Sequence, residues 1–445
     1  MKKITTALLF IFCLPVLAQE NITPSTALDA YLKNGDKSYA WSVRDSFQIA
    51  TVKGYNLYLT SQKWHQYTWR HQLTVLVPSE VEHDGALLFI TGGSNKDEVP
   101  NWKKNDDGTI ISIGKIAIEN KAITAVLWQT PNQPLFDGRK EDEIISYTLH
   151  QFKQDGDYSW PLLFPMVKSA VRSMDAIQDF AKNTLKKPVE RFVVSGASKR
   201  GWTTWLTGSQ DKRVAAIGPM VIDMLNMAVN INYHLTAWGD YSVEIQDYVD
   251  LGIPQSMESE EGRALATMID PYSYRKMLTM PKMIFIGTND PYWPADAIKN
   301  YYDSIPGKNL INYTPNAGHD LGGGKQALKS LSAFFGTTLQ NKPYPECSWA
   351  FSKKGNDIAL QIKASPDPLL DAIVWSADSP DRDFRDNEFT SSSLGITHNQ
   401  NVLATIPLPK TGFKAFYVDL KYQSPNGGSY TVSTRMFVSD ASGVL

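Results

Sequence analysis

The sequence predicts an α/β fold, a mostly parallel sheet with helices on both faces, followed by a C-terminal β-sandwich. Three observations carry this. Short apolar runs alternate with helix-period segments through the middle of the chain. From about Ser348 the texture changes to alternating strands with no helical pattern between them. The chain has 445 residues, too many for one ordinary core.

The N-terminus, "MKKITTALLFIFCLPVLAQE", has two lysines, an apolar run from Ala7 to Leu17, and Val16 and Ala18 before Gln19. It reads as a signal peptide over residues 1–18 rather than a membrane anchor, and it implies export or a periplasmic location. Cys13 follows Phe12, a poor match to a lipoprotein box. The mature chain keeps one cysteine, Cys347, so no intramolecular disulfide is available and stability must come from the core.

The middle supplies six strand-like runs. They are "ALLFITGG" (Ala86 to Gly93), "AITAVLWQT" (Ala122 to Thr130), "RFVVSG" (Arg191 to Gly196), "VAAIGPMV" (Val214 to Val221), "KMIFIGT" (Lys282 to Thr288) and "NLINYTP" (Asn309 to Pro315). The clearest helix is "FPMVKSAVRSMDAIQDFAKNTL", with apolar residues every three or four positions. Strand and helix in alternation place these runs in a parallel sheet within residues 19–340. An excursion at about 222–280, rich in Met, Tyr and Trp, has the position of a cap over a site. The proline-bearing "NKPYPECS" links to residues 348–445, whose strands and Gly, Asn, Pro and Ser turns suit a sandwich of about a hundred residues.

Composition narrows the function. The hydrophobic fraction of 42% and charged fraction of 20% fit a globular protein. A formal net charge of −2, with 44 basic and 46 acidic residues interspersed, gives no footprint for nucleic acid or an anionic membrane. A small-molecule or peptide substrate is the partner this leaves. None of the seven histidines is paired at zinc-ligand spacing on a helix and there is no cysteine cluster, so neither a metal nor a cofactor is expected.

Chemistry enters at "RFVVSGASKRGWTTW". A buried strand that turns sharply into a helix needs small residues at the corner, and Ser198 sits on that corner between Gly196 and Gly201 with its hydroxyl turned outward. Gly-x-Ser alone is common in turns. A serine hydroxyl also stays a weak nucleophile until a histidine takes its proton and an acid fixes that histidine. "KMIFIGTNDPYW" ends a strand with Asp290, and "NLINYTPNAGHDLGGG" ends the next with His319. The order Ser, Asp, His, each after a strand, is that of the α/β-hydrolase fold. His319 alone among the histidines follows a late strand in a glycine-framed loop, with His234 as the reserve. The oxyanion donors expected are the Lys199 N–H and the N–H of Gly93 or Ser94 after "FITGG". Where the usual elbow has a second glycine two residues after the serine, this chain has Arg200. Lys199 and Arg200 are therefore read either as solvated charges or as a grip on a substrate carboxylate. Trp202, Tyr292 and Trp293 sit beside these loops and are expected to line the substrate pocket.

The stretches "VVSGASKRGWTTWLTG", "DPYSYRKMLTMPKMIFIGTNDPYWPADA", "PNAGHDL" and "DGDYSWPLLFPMVKSAVRSMDAIQ" resemble the PhoPQ-activated pathogenicity-related family of bacterial secreted proteins, related to the autocrine proliferation repressor of social amoebae. The resemblance covers nearly all the mature chain. It implies an α/β-hydrolase domain with a β-rich C-terminal domain, and Ser198, Asp290 and His319 as the hydrolase triad. "ASKRG" is also similar to the serine loop of glucuronoyl esterases, where a basic residue meets a sugar carboxylate; this implies an acidic substrate held by Arg200. Residues and resemblance together predict a secreted serine hydrolase cleaving an ester or amide through an acyl-enzyme, esterase ahead of peptidase. The alternative from another class is a silent binding or signalling protein on the same scaffold.

Overall fold

The computed structural model describes residues 22–366, 369–395 and 398–445. The signal-peptide reading falls outside them. Six strands form the parallel heart of the sheet: β4 (Gly85–Ile90), β5 (Ile123–Leu127), β6 (Arg191–Ala197), β7 (Val214–Met220), β8 (Lys282–Gly287) and β9 (Asn309–Thr314). They correspond to the six apolar runs with ends shifted by a few residues, because each run is buried on both faces.

Three strands at one edge, β1 (Ala40–Ile49), β2 (Val52–Trp64) and β3 (Tyr67–Pro78), pair antiparallel and are absent from the sequence reading. The side order is β1-β2-β3-β5-β4-β6-β7-β8-β9, with β3 antiparallel to β5 and every later neighbour parallel. The reversal between β5 and β4, with the later strands added outward from β6, is the topology of the α/β-hydrolase fold.

Helices cover both faces. Helix α1 (Gly108–Asn120) starts at Asp107, whose side chain accepts the Thr109 N–H at 2.8 Å, and packs on the face opposite the helix α2 (Leu163–Phe180). Helix α3 (Lys199–Gln210) follows β6 directly, and helix α4 (Met227–Trp238) opens the excursion between β7 and β8. Helix α5 (Lys325–Leu339) closes the hydrolase portion.

The C-terminal segment builds a β-rich domain with two layers. Strands β10 (Cys347–Lys354), β11 (Asp357–Ala364) and β14 (Asn401–Pro407) form one small antiparallel sheet. The facing layer consists of β12 (Leu369–Ser379), β13 (Thr390–Ser393), β15 (Phe413–Gln423) and β16 (Ser429–Ser433). Ile358, Leu360 and Ile362 of the first layer share one core with Val418 and Leu420 of the second.

Strand β16 pairs antiparallel with β9 at Ser433 and Ile311, so the second layer continues the central sheet, which has fifteen strands among the described residues. Asn312 Nδ2 donates to the Thr431 carbonyl at 3.0 Å, and the Tyr313 ring packs tilted against Tyr417 with centroids 4.8 Å apart. An open edge at β9 would leave N–H and C=O groups unpaired, and the C-terminal strands cover it.

Candidate active site

The elbow at Ser198 is built by sterics. Ser198 has φ 59° and ψ −128°, a conformation a serine holds only when its surroundings impose it. Its N–H donates to the Met220 carbonyl at 2.9 Å, and its own carbonyl accepts from Trp202 N–H at 3.0 Å. A Cβ on Gly196 would meet the Ile90 carbonyl oxygen at 2.9 Å, and one on Gly201 would meet that of Met220 at 2.6 Å. Gly201 thus supplies the close approach to the neighbouring strand, which frees position 200 for an arginine.

His319 lies on the loop after β9 and Asp290 on the loop after β8. The His319 Nδ1 is 2.9 Å from Asp290 Oδ2 and 3.0 Å from Oδ1, and Asp290 also accepts the Tyr292 N–H at 3.0 Å. The His319 Nε2 is buried and has no hydrogen-bond partner, Ser198 Oγ included. Tyr292 stacks on the imidazole with ring centroids 4.1 Å apart. The ring is thus held on one edge by a carboxylate and on one face by a phenol, with Nε2 left for a reacting proton.

Ser198, Lys199, Trp202, Tyr292, Trp293 and His319 line one open cavity, whose empty space together with the solvent at its mouth is about 650 Å³. The excursion between β7 and β8 supplies most of its apolar wall: Ile222, Met224, Met227, Ile231, Ile245, Ile253, Pro254 and Ile269. Two hydrogen bonds tie that excursion to helix α3 and to itself, Trp202 Nε1 to the Ile269 carbonyl at 2.6 Å and Met227 N–H to Asp270 Oδ2 at 2.7 Å. His234 faces Trp238 and Trp293 away from this cavity, and burial pulls its pKa down to about 4.

Arg200, read from sequence either as a solvated charge or as a grip on a substrate carboxylate, is engaged by the protein itself. Its Nε donates to the Thr130 carbonyl at 2.6 Å and its Nη2 to Glu141 Oε1 at 2.8 Å, and it does not line the cavity. A Cβ on Gly92 would come within 2.7 Å of Arg200 Nη2, so that glycine makes the seat for the guanidinium. Lys199, only 7% exposed, has its Nζ 3.0 Å from Glu141 Oε2 and 2.9 Å from Asp142 Oδ2. Both cations are therefore committed to carboxylates of the protein itself.

Glu141 and Asp142 went unread in the sequence. They begin the helix Glu141–Asp155, where "KEDE" has the ordinary acidic first turn, and only the fold brings them to the elbow. Burial alone would raise the Glu141 pKa; the hydrogen bond and charge of Arg200, with those of Lys199, outweigh it and hold it at about 2. Gln133 Nε2 donates to Glu141 Oε1 at 2.6 Å and to the Gly93 carbonyl at 2.9 Å, so one network joins the elbow to the loop after β4. With that carbonyl tied back, the N–H of the same peptide, on Ser94, points the other way. Neither the Gly93 nor the Ser94 N–H has an acceptor among the described residues, and neither residue lines the cavity. They sit beside the elbow because Ile90 and Gly196 are partners in adjacent strands.

Residues 28–385 match the PhoPQ-activated pathogenicity-related protein family. The chain belongs to that family. Among curated relatives, autocrine proliferation repressor protein A of Dictyostelium discoideum is 31% identical, over 89% of this chain and 86% of its own. Solved structures with a similar chain path include an acetyl xylan esterase from a Thermoanaerobacterium species, with TM-score 0.48, 17% identity, and coverage of 70% of this chain and 95% of that one. Another is a glucuronoyl esterase from Solibacter usitatus, with TM-score 0.40, 12% identity, and coverage of 71% of this chain and 91% of that one. At such scores the fold assignment rests on the strand order above. No helix among the described residues is long and apolar enough to cross a membrane.

Proposed function

We infer that this family member is an exported serine hydrolase that cleaves carboxylic esters whose acyl portion is apolar. The observation that supports it best is the pairing of His319 with Asp290, with Nε2 buried and unpaired in a residue that lines the same cavity as Ser198. Ser198 Oγ attacks the ester carbonyl while His319 Nε2 takes its proton, and Asp290 stabilises the imidazolium. The Lys199 N–H and the Gly93 or Ser94 N–H receive the oxyanion. Collapse expels the alcohol, which leaves with the proton from His319, and water then repeats the sequence to free Ser198.

Ester is favoured over peptide because the wall is aliphatic and offers few groups to pair a peptide backbone. An acidic substrate is disfavoured because Lys199 and Arg200 are already paired. Each methylene buried in such a wall contributes about 0.8 kcal/mol, close to fourfold. The test is kcat/KM across p-nitrophenyl esters from acetate to octanoate. A rise of about fourfold per methylene over the first additions, cut short by Ile231→Trp, supports the reading. A flat series, or acetate as the best substrate, overturns the apolar acyl pocket.

A further inference from the structure

Between β12 and β13 the C-terminal segment runs through residues 380–389, and this stretch touches three separate parts of the site. Asn289, next to Asp290, turns its side-chain amide onto it. Its Nδ2 faces the carbonyl oxygens of Phe384, Arg385 and Asn387 at 2.9, 3.2 and 2.8 Å. Asn316, on the His319 loop, makes a two-way pair with Phe389, accepting its N–H at 2.7 Å and donating to its carbonyl at 2.9 Å. The cap helix α4 is the third part. Arg382 bonds the Tyr233 hydroxyl, and the Arg385 guanidinium lies 4.2 Å from the ring centre of Trp238. Phe384 and Phe389 are buried and anchor the stretch at its middle and its C-terminal end.

The two loops it grips are also bound to each other. Asn289 N–H donates to the Ala317 carbonyl at 3.0 Å, Asn316 N–H to Thr288 Oγ1 at 2.8 Å, and Thr288 Oγ1 to Asn289 Oδ1 at 2.7 Å. The side-chain amide of Asn289 therefore has both its nitrogen and its oxygen engaged and no freedom to rotate. A segment that merely closed the β-domain would need apolar packing alone. Here the polar partners are the residues that flank the acid and the histidine.

We propose that residues 382–389 are a positioning strap, through which Asn289 and Asn316 hold Asp290 and His319 in register while Arg382 and Arg385 tether the cap helix. Asn289 and Asn316 are positioning residues and touch no reacting atom. The proposal rests on the Ser198, His319, Asp290 reading above and extends it by making the C-terminal segment part of the working site. It accounts for the continuity of the sheet from β9 into β16, which fixes the origin of the strap relative to the histidine loop.

The test uses the full chain with Asn289→Ala, Asn316→Ala and Asn316→Asp. Kinetics on p-nitrophenyl butyrate are read beside thermal unfolding and the far-downfield proton resonance of a His Nδ1–H shared with a buried carboxylate. A misplacement of the order of 1 Å costs about a hundredfold in rate. Each alanine variant is expected to lose roughly that factor in kcat, with KM within about twofold, and to lose or broaden the resonance while remaining folded. Asn316→Asp, which keeps an acceptor for the Phe389 N–H, is expected to recover part of kcat. Wild-type kcat and an intact resonance in both alanine variants would overturn the strap, as would a kcat loss with the resonance unchanged. If one alanine variant does not fold, the other carries the same expectation. A wild type that turns over no ester refutes the hydrolase reading instead, and the resonance alone then decides the strap.

Discussion

Glu141→Gln keeps the shape of the side chain and removes the charge that Lys199 and Arg200 share. The Glu141 carboxyl is held at about 2 in the folded chain against an ordinary 4.5, a depression of roughly 2.5 pH units or about 3.4 kcal/mol before screening. Its side chain is 40% exposed, so solvent screening brings the expected contribution down to about 1–2 kcal/mol. A depressed carboxylate stabilises fully above its unfolded pKa, and this stabilisation declines as pH falls from about 4.5 toward about 2. Urea unfolding of wild type and Glu141→Gln should then differ by about 1–2 kcal/mol at pH 7, with the gap narrowing at pH 3.5. Ester turnover should fall as well, since Glu141 also connects through Gln133 to the Gly93 carbonyl beside the elbow. The same stability gap at pH 7 and pH 3.5 would refute the ion-pair account and leave Glu141 as a packing residue.

Two further predictions concern the deeper frame. Truncation after Pro345 removes the strands that cover β9 together with the contacts on Asn289 and Asn316, so the product should be insoluble or inert to a serine-directed probe; a soluble, probe-reactive fragment would contradict the sheet continuity as a requirement. Asp223 lies buried, and burial first, then the charges of Asp290 and Asp296, push its pKa up to about 7 from 3.8. Its stabilising contribution is complete below about 3.8 and gone above about 7, so wild type should lose up to about 4 kcal/mol relative to Asp223→Asn between pH 4 and pH 8. A stability difference that does not change with pH would show that Asp223 does not titrate in this way.

The parallel strands were legible because burial on both faces leaves continuous apolar runs, "KMIFIGT" and "RFVVSG" above all, bounded by glycine and polar turns. The edge strands β1 to β3 were not. The outer one is mostly exposed, its burial favours no continuous apolar run, and its pairing with β2 is decided by contacts along the neighbour. The sandwich was read from its alternation, as in β14 with strict out-and-in burial, but its attachment to the central sheet rests on the Ile311 and Ser433 pairing, a long-range choice with no local signal. In the candidate site, the His319–Asp290 contact and the placing of Ser198 beside the same cavity could be anticipated because chain order and strand ends are sequence properties. For Arg200 the solvated and the carboxylate-gripping readings stood together, because nothing near it in sequence announces Glu141 or the seat left by Gly92. The positive φ of Ser198 was foreshadowed only by the flanking glycines.

The most direct test of the central claim is covalent labelling with a fluorophosphonate, read by mass spectrometry of the digested protein. Phosphonylation requires a serine whose proton a base removes, so it reports the activated nucleophile without knowledge of the substrate. The account predicts one modified peptide carrying the adduct on Ser198, no adduct in a folded Ser198→Ala variant, and labelling slowed by about a thousandfold in His319→Ala. An unlabelled wild type, or an adduct that persists at the same rate in Ser198→Ala, would contradict it.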